Sequence, residues 1–237
     1  MSRLIVVPWR SGCPHREKAL EHVLPRLEAL SDATVVMGIL ETGPWVKAKA
    51  VMSLIEHSTA RTVAVVDADV LVHDLPEALD EVDSGRSWAV PHLHVRRLTQ
   101  DATARVYAGA DPWDHTLATT ERPYVGVEGG GVVVARRDVL LEVPFDARFQ
   151  GWGGEDHALG YALNTLYGAP WRGSRALIHL WHPPQARSTR KVGSQASEKL
   201  RRRYRDARTS VDDMRQLVGE ARGLVQAEPQ GRARASA

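Results

Sequence analysis

Apolar positions along the 237 residues fall into short continuous runs that alternate with stretches of helical spacing. Arg3–Val7 is such a run and reads as a first strand, ended by a loop over Pro8–Pro14. Glu17–Leu30 carries Ala19, Leu20, Val23, Leu27 and Leu30 at helical spacing, with a kink expected at Pro25. Ala33–Leu40 is a second strand, punctuated by Gly43-Pro44. Trp45–His57 is a second helix with Ala48, Val51, Met52 and Ile55 on one face. Thr62–Val66 is apolar without alternation beyond its first residue, the pattern of a strand buried on both faces in a helix-covered sheet. The order β-α-β-α-β predicts a parallel sheet with right-handed crossovers.

Further along, Leu75–Val82 reads as a short helix and Trp88–Pro91 as a strand. Residues 92–122 have mixed polarity and weak period, with one helix expected over Gln100–Ala108 and loops elsewhere. Val127–Val134 reads as a strand, Arg137–Leu141 as a short helix, His157–Leu166 as a longer one and Ala176–Trp181 as the last strand. Beyond it lie a basic helix over Ser197–Ala207 and another to about Gly223, opened by a capping box at Ser210-Val-Asp-Asp213. Residues 226–237 are small and polar, and read as disordered.

Composition changes this picture little: 43% hydrophobic and 25% charged residues are ordinary globular values. No run is long enough to span a membrane, and none at the N-terminus has the length of a signal peptide. The single cysteine, Cys13, excludes an intrachain disulfide, so a cytoplasmic home is expected. Charge divides the chain: 185–237 hold 13 basic against 6 acidic residues, a net +7, while 1–184 carry −5. A basic tail of this kind can contact nucleic acid or another acidic partner, but reads first as a solvated helical appendage.

Candidate chemistry gathers at strand ends. Asp67 and Asp69 follow the buried third strand, two apart, and suit a divalent cation with oxygen ligands. Arg10 and Arg16 follow the first strand, Glu155 and Asp156 open a helix, and His179 and His182 end the last strand. In a doubly wound sheet these ends share one crevice, which then holds cations for phosphate oxygens and carboxylate and imidazole ligands for a metal. The chain has no P-loop, and no Gly-x-Gly-x-x-Gly follows its first strand. The run Gly151-Trp-Gly-Gly-Glu-Asp156 is the most specific feature: glycines permit close backbone approach, and the indole of Trp152 offers a flat apolar surface matched to a sugar face.

These motifs together resemble a family. Asp67-Ala-Asp69 is similar to the Asp-x-Asp motif of glycosyltransferases with the GT-A fold. Gly129-Gly-Gly-Val-Val-Val-Ala-Arg-Arg-Asp, Phe145-Asp-Ala-Arg-Phe and Gly151–Asp156 resemble segments of β-1,4-galactosyltransferases and polypeptide N-acetylgalactosaminyltransferases. Pro8-Trp-Arg10 looks like their Pro-aromatic-Arg, and Lys47-Ala-Lys-Ala like their nucleotide-touching helix. The resemblance spans roughly residues 4–184. It implies an α/β GT-A fold, Rossmann-like, with a mostly parallel central sheet and helices on both faces. On this reading a basic helical extension covers 185–224 and a disordered tail 225–237.

It further implies a metal-dependent transferase that moves a sugar from a nucleotide diphosphate, UDP first among them, to an acceptor hydroxyl. Asp69 and His179 would hold Mn2+ or Mg2+, with His182 the rival ligand. Pro8, Arg10, Arg16, Lys47, Asp67, Gly130 and His182 would meet the donor. Trp152, Gly153 and Glu155 would line the sugar and acceptor. Asp156 would be the general base of an inverting transfer. Arg10 and Arg16 stand further apart than the family's Arg-x-Arg, and residues 92–122 match nothing in it and should set acceptor choice. The acceptor could be a glycan, a protein or a modified nucleic acid. Deleting residues 186–237 is expected to leave donor hydrolysis largely intact. Two other readings stand beside this one: a haloacid-dehalogenase-type phosphatase, whose signature also begins Asp-x-Asp after a strand, and a non-catalytic sugar- or nucleotide-binding module.

Overall fold

The computed structural model describes residues 2–30, 32–125, 130–151, 153–183 and 194–226. Its first strand, β1 (Arg3–Trp9), runs two residues beyond the apolar pattern. Pro8 is therefore a buried strand residue opposite Gly38, not a loop residue. Its missing N–H is tolerated because pairing of β1 with β3 (Thr62–Val66) ends at Val6, short of Pro8. Helix α1 (Pro14–Glu28) starts at the proline, whose fixed φ suits the first helical position. The Arg16 and Glu17 amides donate to the Cys13 carbonyl, so Arg16 stands in the first helical turn and not in a loop.

Strand β2 (Ala33–Ile39), helix α2 (Lys47–His57) and β3 complete the predicted β-α-β-α-β unit. Then follow β4 (Val70–Leu71), α3 (Leu75–Asp83), β5 (Trp88–Val90), β6 (His94–Arg97) and α4 (Gln100–Tyr107). The chain continues through β7 (Val132–Arg136), α5 (Arg137–Glu142), α6 (Glu155–Tyr167), β8 (Trp171–Arg172) and β9 (Ala176–His179). The expected strand from Val127 lies partly outside the described residues, which resume before Val132.

The central sheet has the order β2-β1-β3-β7-β5-β8. Five strands share one direction and β7 runs against both its neighbours, so the sheet is mostly parallel as expected, with one reversal inside it. A second sheet has the order β4-β9-β6. Every residue of β3 is buried. Val63 and Val65 enter the core on one face of the sheet, and Ala64 and Val66 enter the core on the other, as a two-sided burial requires. No helix among the described residues is long and apolar enough to cross a membrane.

The reading of the basic segment as a solvated appendage is corrected for 194–226. Helices α7 (Ser194–Asp206) and α8 (Val211–Gln226) bury Leu200, Tyr204, Met214, Leu217 and Val218 in the same core as α2, α5 and α6. The Tyr204 hydroxyl donates to Asp146 at 2.9 Å, and Arg148 joins Asp146 at 2.6 Å to Glu220 at 2.5 Å. The arginines face outward and conceal this apolar stripe in the sequence. Deletion of residues 194–237 is thus expected to abolish cooperative unfolding in urea, since the exposed apolar face is comparable with a margin of about 5–15 kcal/mol for a whole domain. A truncated chain that unfolds with the full-length midpoint would refute the packing.

Candidate active site

The site forms where β3 gives way to β4. The backbone there is fixed twice: the Asp67 amide donates to the Gly131 carbonyl at 2.8 Å, and the Asp69 carbonyl accepts from Leu180 at 2.9 Å. Gly131 holds a φ of 75° with Leu177 against the position a Cβ would take, so only glycine fits this approach. Gly130, beside it, is partly buried. These bonds seat Asp69 beside the end of β9, where Val70 pairs with His179.

Three side chains converge there. His182 Nε2 lies 3.3 Å from Asp69 Oδ2 and His179 Nε2 lies 4.0 Å from Asp69 Oδ1. One ligand atom of each residue falls within 4.8 Å of the others. Opposite ligands of an ion bound at about 2.1 Å stand about 4.2 Å apart, so a small contraction closes this set around a divalent cation. The tautomers suit it as well. Each Nδ1 sits 2.9 Å from a backbone carbonyl, Leu180 for His179 and Pro183 for His182. A carbonyl only accepts, so each Nδ1 carries the proton and each Nε2 lone pair faces Asp69. Burial pushes His179 down to about 4 and also lowers His182, keeping both rings neutral at pH 7. Burial disfavours charge on Asp69 too, but His179, Arg16 and His182 outweigh it and hold the carboxyl below its usual range. The donor set therefore fits a metal, with both imidazoles facing Asp69 rather than one.

A second cluster adjoins the first. The Lys47 ammonium, 6% exposed at the start of α2, lies 2.9 Å from Asp67 Oδ1 and 3.2 Å from Asp156 Oδ1. Burial lowers its pKa, but Asp156, Asp67 and Glu155 more than offset this and raise it above the ordinary value. Asp67 is shifted upward by burial and by the carboxylates of Asp156 and Asp69, against the pull of Lys47. Asp156 sits in the first turn of α6, where the helix dipole favours an anion. The turn before it needs glycine: Gly151, Gly153 and Gly154 have φ of 80°, 98° and 100°. The Gly151 amide donates to Trp45 at 2.7 Å, which ties this turn to the entry of α2. Trp152 lies outside the described residues.

Glu155 is a separate case. It is 8% exposed, and its Oε2 has no hydrogen-bond partner among the described residues. Burial, then the neighbouring Asp156, raises its pKa to about 7.

Of the predicted cations, Arg16 is at the site, with Nε 3.3 Å from Asp69 Oδ2 and Nη2 3.4 Å from His182 Nε2. Arg10 is turned elsewhere: it donates to the carbonyls of Leu40 and Thr42 at 2.6 and 3.2 Å and lies over the Trp45 ring. One residue at the site was assigned no role from the sequence. Arg97 Nη1 is 3.2 Å from His179 Nε2, brought there by the parallel register of β6 on β9. Only that long-range pairing signals it.

No family model matches the chain, and no curated protein matches it in sequence. Solved structures do. A mutant of Drosophila β-1,4-galactosyltransferase 7, solved with manganese, UDP-Gal and xylobiose, is similar at TM-score 0.51 and 14% identity, over 80% of this chain and 79% of that one. Glucosyl-3-phosphoglycerate synthase from Mycobacterium tuberculosis, solved with Mn2+, uridine diphosphate and phosphoglyceric acid, is similar at 0.50 and 13%, over 89% and 79%. At such identity the likeness is one of fold.

Glu155 gives this site a measurable pH signature. Between its ordinary 4.5 and about 7 the folded state binds the extra proton, so stability falls as pH rises through that window. Glu155→Gln should remove the fall, gaining about 1–3 kcal/mol over the wild type at pH 8 and little at pH 4.5. Denaturant titrations at the two pH values check this, and parallel curves for both proteins would contradict it.

Proposed function

From the GT-A fold, we propose that this protein is a metal-dependent glycosyltransferase that moves a sugar from a nucleoside diphosphate, UDP foremost, to an acceptor hydroxyl with inversion. One observation carries the reading: Asp69, His179 and His182 converge within 4.8 Å, and Lys47 links the adjoining Asp67 to Asp156. Asp69, His179 and His182 hold Mn2+ or Mg2+ on this reading. When bound, the ion neutralises charge on the departing diphosphate.

The chain's own groups supply the rest. Arg16 stands beside the cluster to take a diphosphate oxygen. Asp67, anchored through Oδ1, keeps its other oxygen for a donor hydroxyl. Asp156 is anchored in the same way by Lys47, so its Oδ2 accepts the proton of the acceptor hydroxyl as that oxygen attacks the anomeric carbon. The anomeric bond to the diphosphate breaks on the opposite face, which inverts the configuration. Lys47 is thus a positioning residue for two carboxylates rather than a nucleotide contact. The acceptor is a glycan, a protein or a modified nucleic acid, and the segment after β5 is its selector.

The phosphatase reading has less to support it. Its nucleophile would be Asp67, which here follows a third strand and is held by a buried ammonium. Among the non-catalytic alternatives, a binding module would need neither Asp156 nor its anchored orientation.

Two variants test this. Asp69→Ala should abolish Mn2+-dependent UDP binding in calorimetry, and unchanged affinity would remove the ligand role. Asp156→Asn should bind UDP normally yet lose about 10²–10⁴-fold in transfer once a donor is found by a nucleotide-sugar screen. Proton NMR of the product should show the inverted anomer, and retention would overturn the base assignment.

A further inference from the structure

Two guanidiniums hold the imidazoles of the metal cluster. Arg97 Nη1 lies 3.2 Å from His179 Nε2, and Arg16 Nη2 lies 3.4 Å from His182 Nε2. Because each Nδ1 donates to a carbonyl, each Nε2 is an acceptor with one in-plane lone pair. A lone pair engaged by a guanidinium cannot also bind a cation. A divalent ion must therefore displace both arginines, and it then stands beside two like charges.

Arg97 is built for such a displacement. It ends β6, the edge strand of the small sheet. Its Nε is steadied by the Tyr124 hydroxyl at 2.9 Å and by Glu121 at 3.3 Å, while its side chain is 41% exposed. The planar fork moves as one group, so a turn of its outer nitrogens swings the guanidinium about these Nε contacts, with room given by its exposed side. A diphosphate carries the negative oxygens that a displaced fork binds best, in bidentate fashion.

We propose that Arg97 is a diphosphate-binding residue that couples donor to metal, releasing His179 to the ion and passing its guanidinium to the diphosphate oxygens. This rests on the metal-diphosphate reading of the site and adds the order in which it fills. Metal alone binds weakly because the arginines oppose it. Metal and diphosphate bind together because one occupies the imidazoles while the other receives the arginines. Linkage makes the effect reciprocal: whatever factor the diphosphate adds to metal affinity, the metal adds to diphosphate affinity.

Arg97→Met separates this role from a structural one. Mn2+ binding without nucleotide, read by loss of the free-ion EPR signal, should tighten about three- to ten-fold, as the opposing charge is gone. UDP binding at saturating Mn2+, read by calorimetry, should weaken about ten-fold, as a charge-assisted contact is lost. Opposite shifts support the coupling. Affinities that fall together, rise together or stay unchanged overturn it. Should the Met variant fail to fold, Arg97→Lys carries the same test, because it retains the charge but not the fork: UDP should weaken while Mn2+ alone is little changed, and unchanged UDP affinity overturns the proposal. A wild-type protein that binds neither Mn2+ nor UDP would instead remove the metal-diphosphate reading, and the coupling with it.

Discussion

A buried ammonium is the constraint on which this architecture depends. Lys47 is placed in the first turn of α2, the end of a helix whose dipole repels a cation. It is also withdrawn from water, which makes an uncompensated charge costlier still. Asp67 and Asp156 answer both penalties at 2.9 and 3.2 Å. The end of β3, the start of α2 and the start of α6 must consequently meet at one point. A single buried ammonium thereby sets the spacing between the Asp67–Asp69 turn and the Asp156 carboxylate.

Around that point the two sheets divide the labour. The central sheet delivers Asp67 and Asp69 at the end of a strand buried throughout. The small sheet delivers His179 from β9 and Arg97 from β6, held side by side by parallel pairing. One backbone bond, Asp67 to Gly131, extends the β3–β7 pairing of the central sheet, and another, Leu180 to Asp69, extends the β4–β9 pairing of the small one, so the turn is held from both sides. The carboxylates and imidazoles are rigid because the main chain beneath them is already paired.

Much of this was legible in the chain. Period and punctuation locate the longer elements to within about three residues, because a strand buried on both faces and a one-sided helix write different patterns, while the short strands β4, β6 and β8, with β6 in a segment read as loop, carry too few residues to show a period. Asp67, Asp69, His179 and His182 stand out because charged or polar groups there end an apolar run, and Glu155 and Asp156 because they open a helix straight after a glycine-rich turn. What stayed hidden was non-local. The reversal of β7 leaves no local mark, since Val132–Ala135 would read the same in either direction. The role of Arg97 depends on a partner 82 residues away. The bond of Lys47 with Asp156 spans 109. In α7, a run of arginines masks Leu200 and Tyr204, so an integral helix reads as a polar one. The partners of Arg10 were hidden too: its guanidinium donates to the loop carbonyls of Leu40 and Thr42.

The contact between α7 and the glycine turn has a consequence for how the protein is made. The Ser197 hydroxyl sits within hydrogen-bonding distance of both the amide and the carbonyl of Gln150, 47 residues earlier, and the Arg201 stem packs where a Cβ on Gly154 would point. A nascent chain that has emerged from the ribosome as far as His182 already carries every acidic and imidazole group of the site. It lacks the brace for the turn that aims Asp156. Synthesis therefore completes the side chains of the site first and the bracing of its Asp156 turn last, so that a growing chain acquires its functional groups before it acquires their geometry.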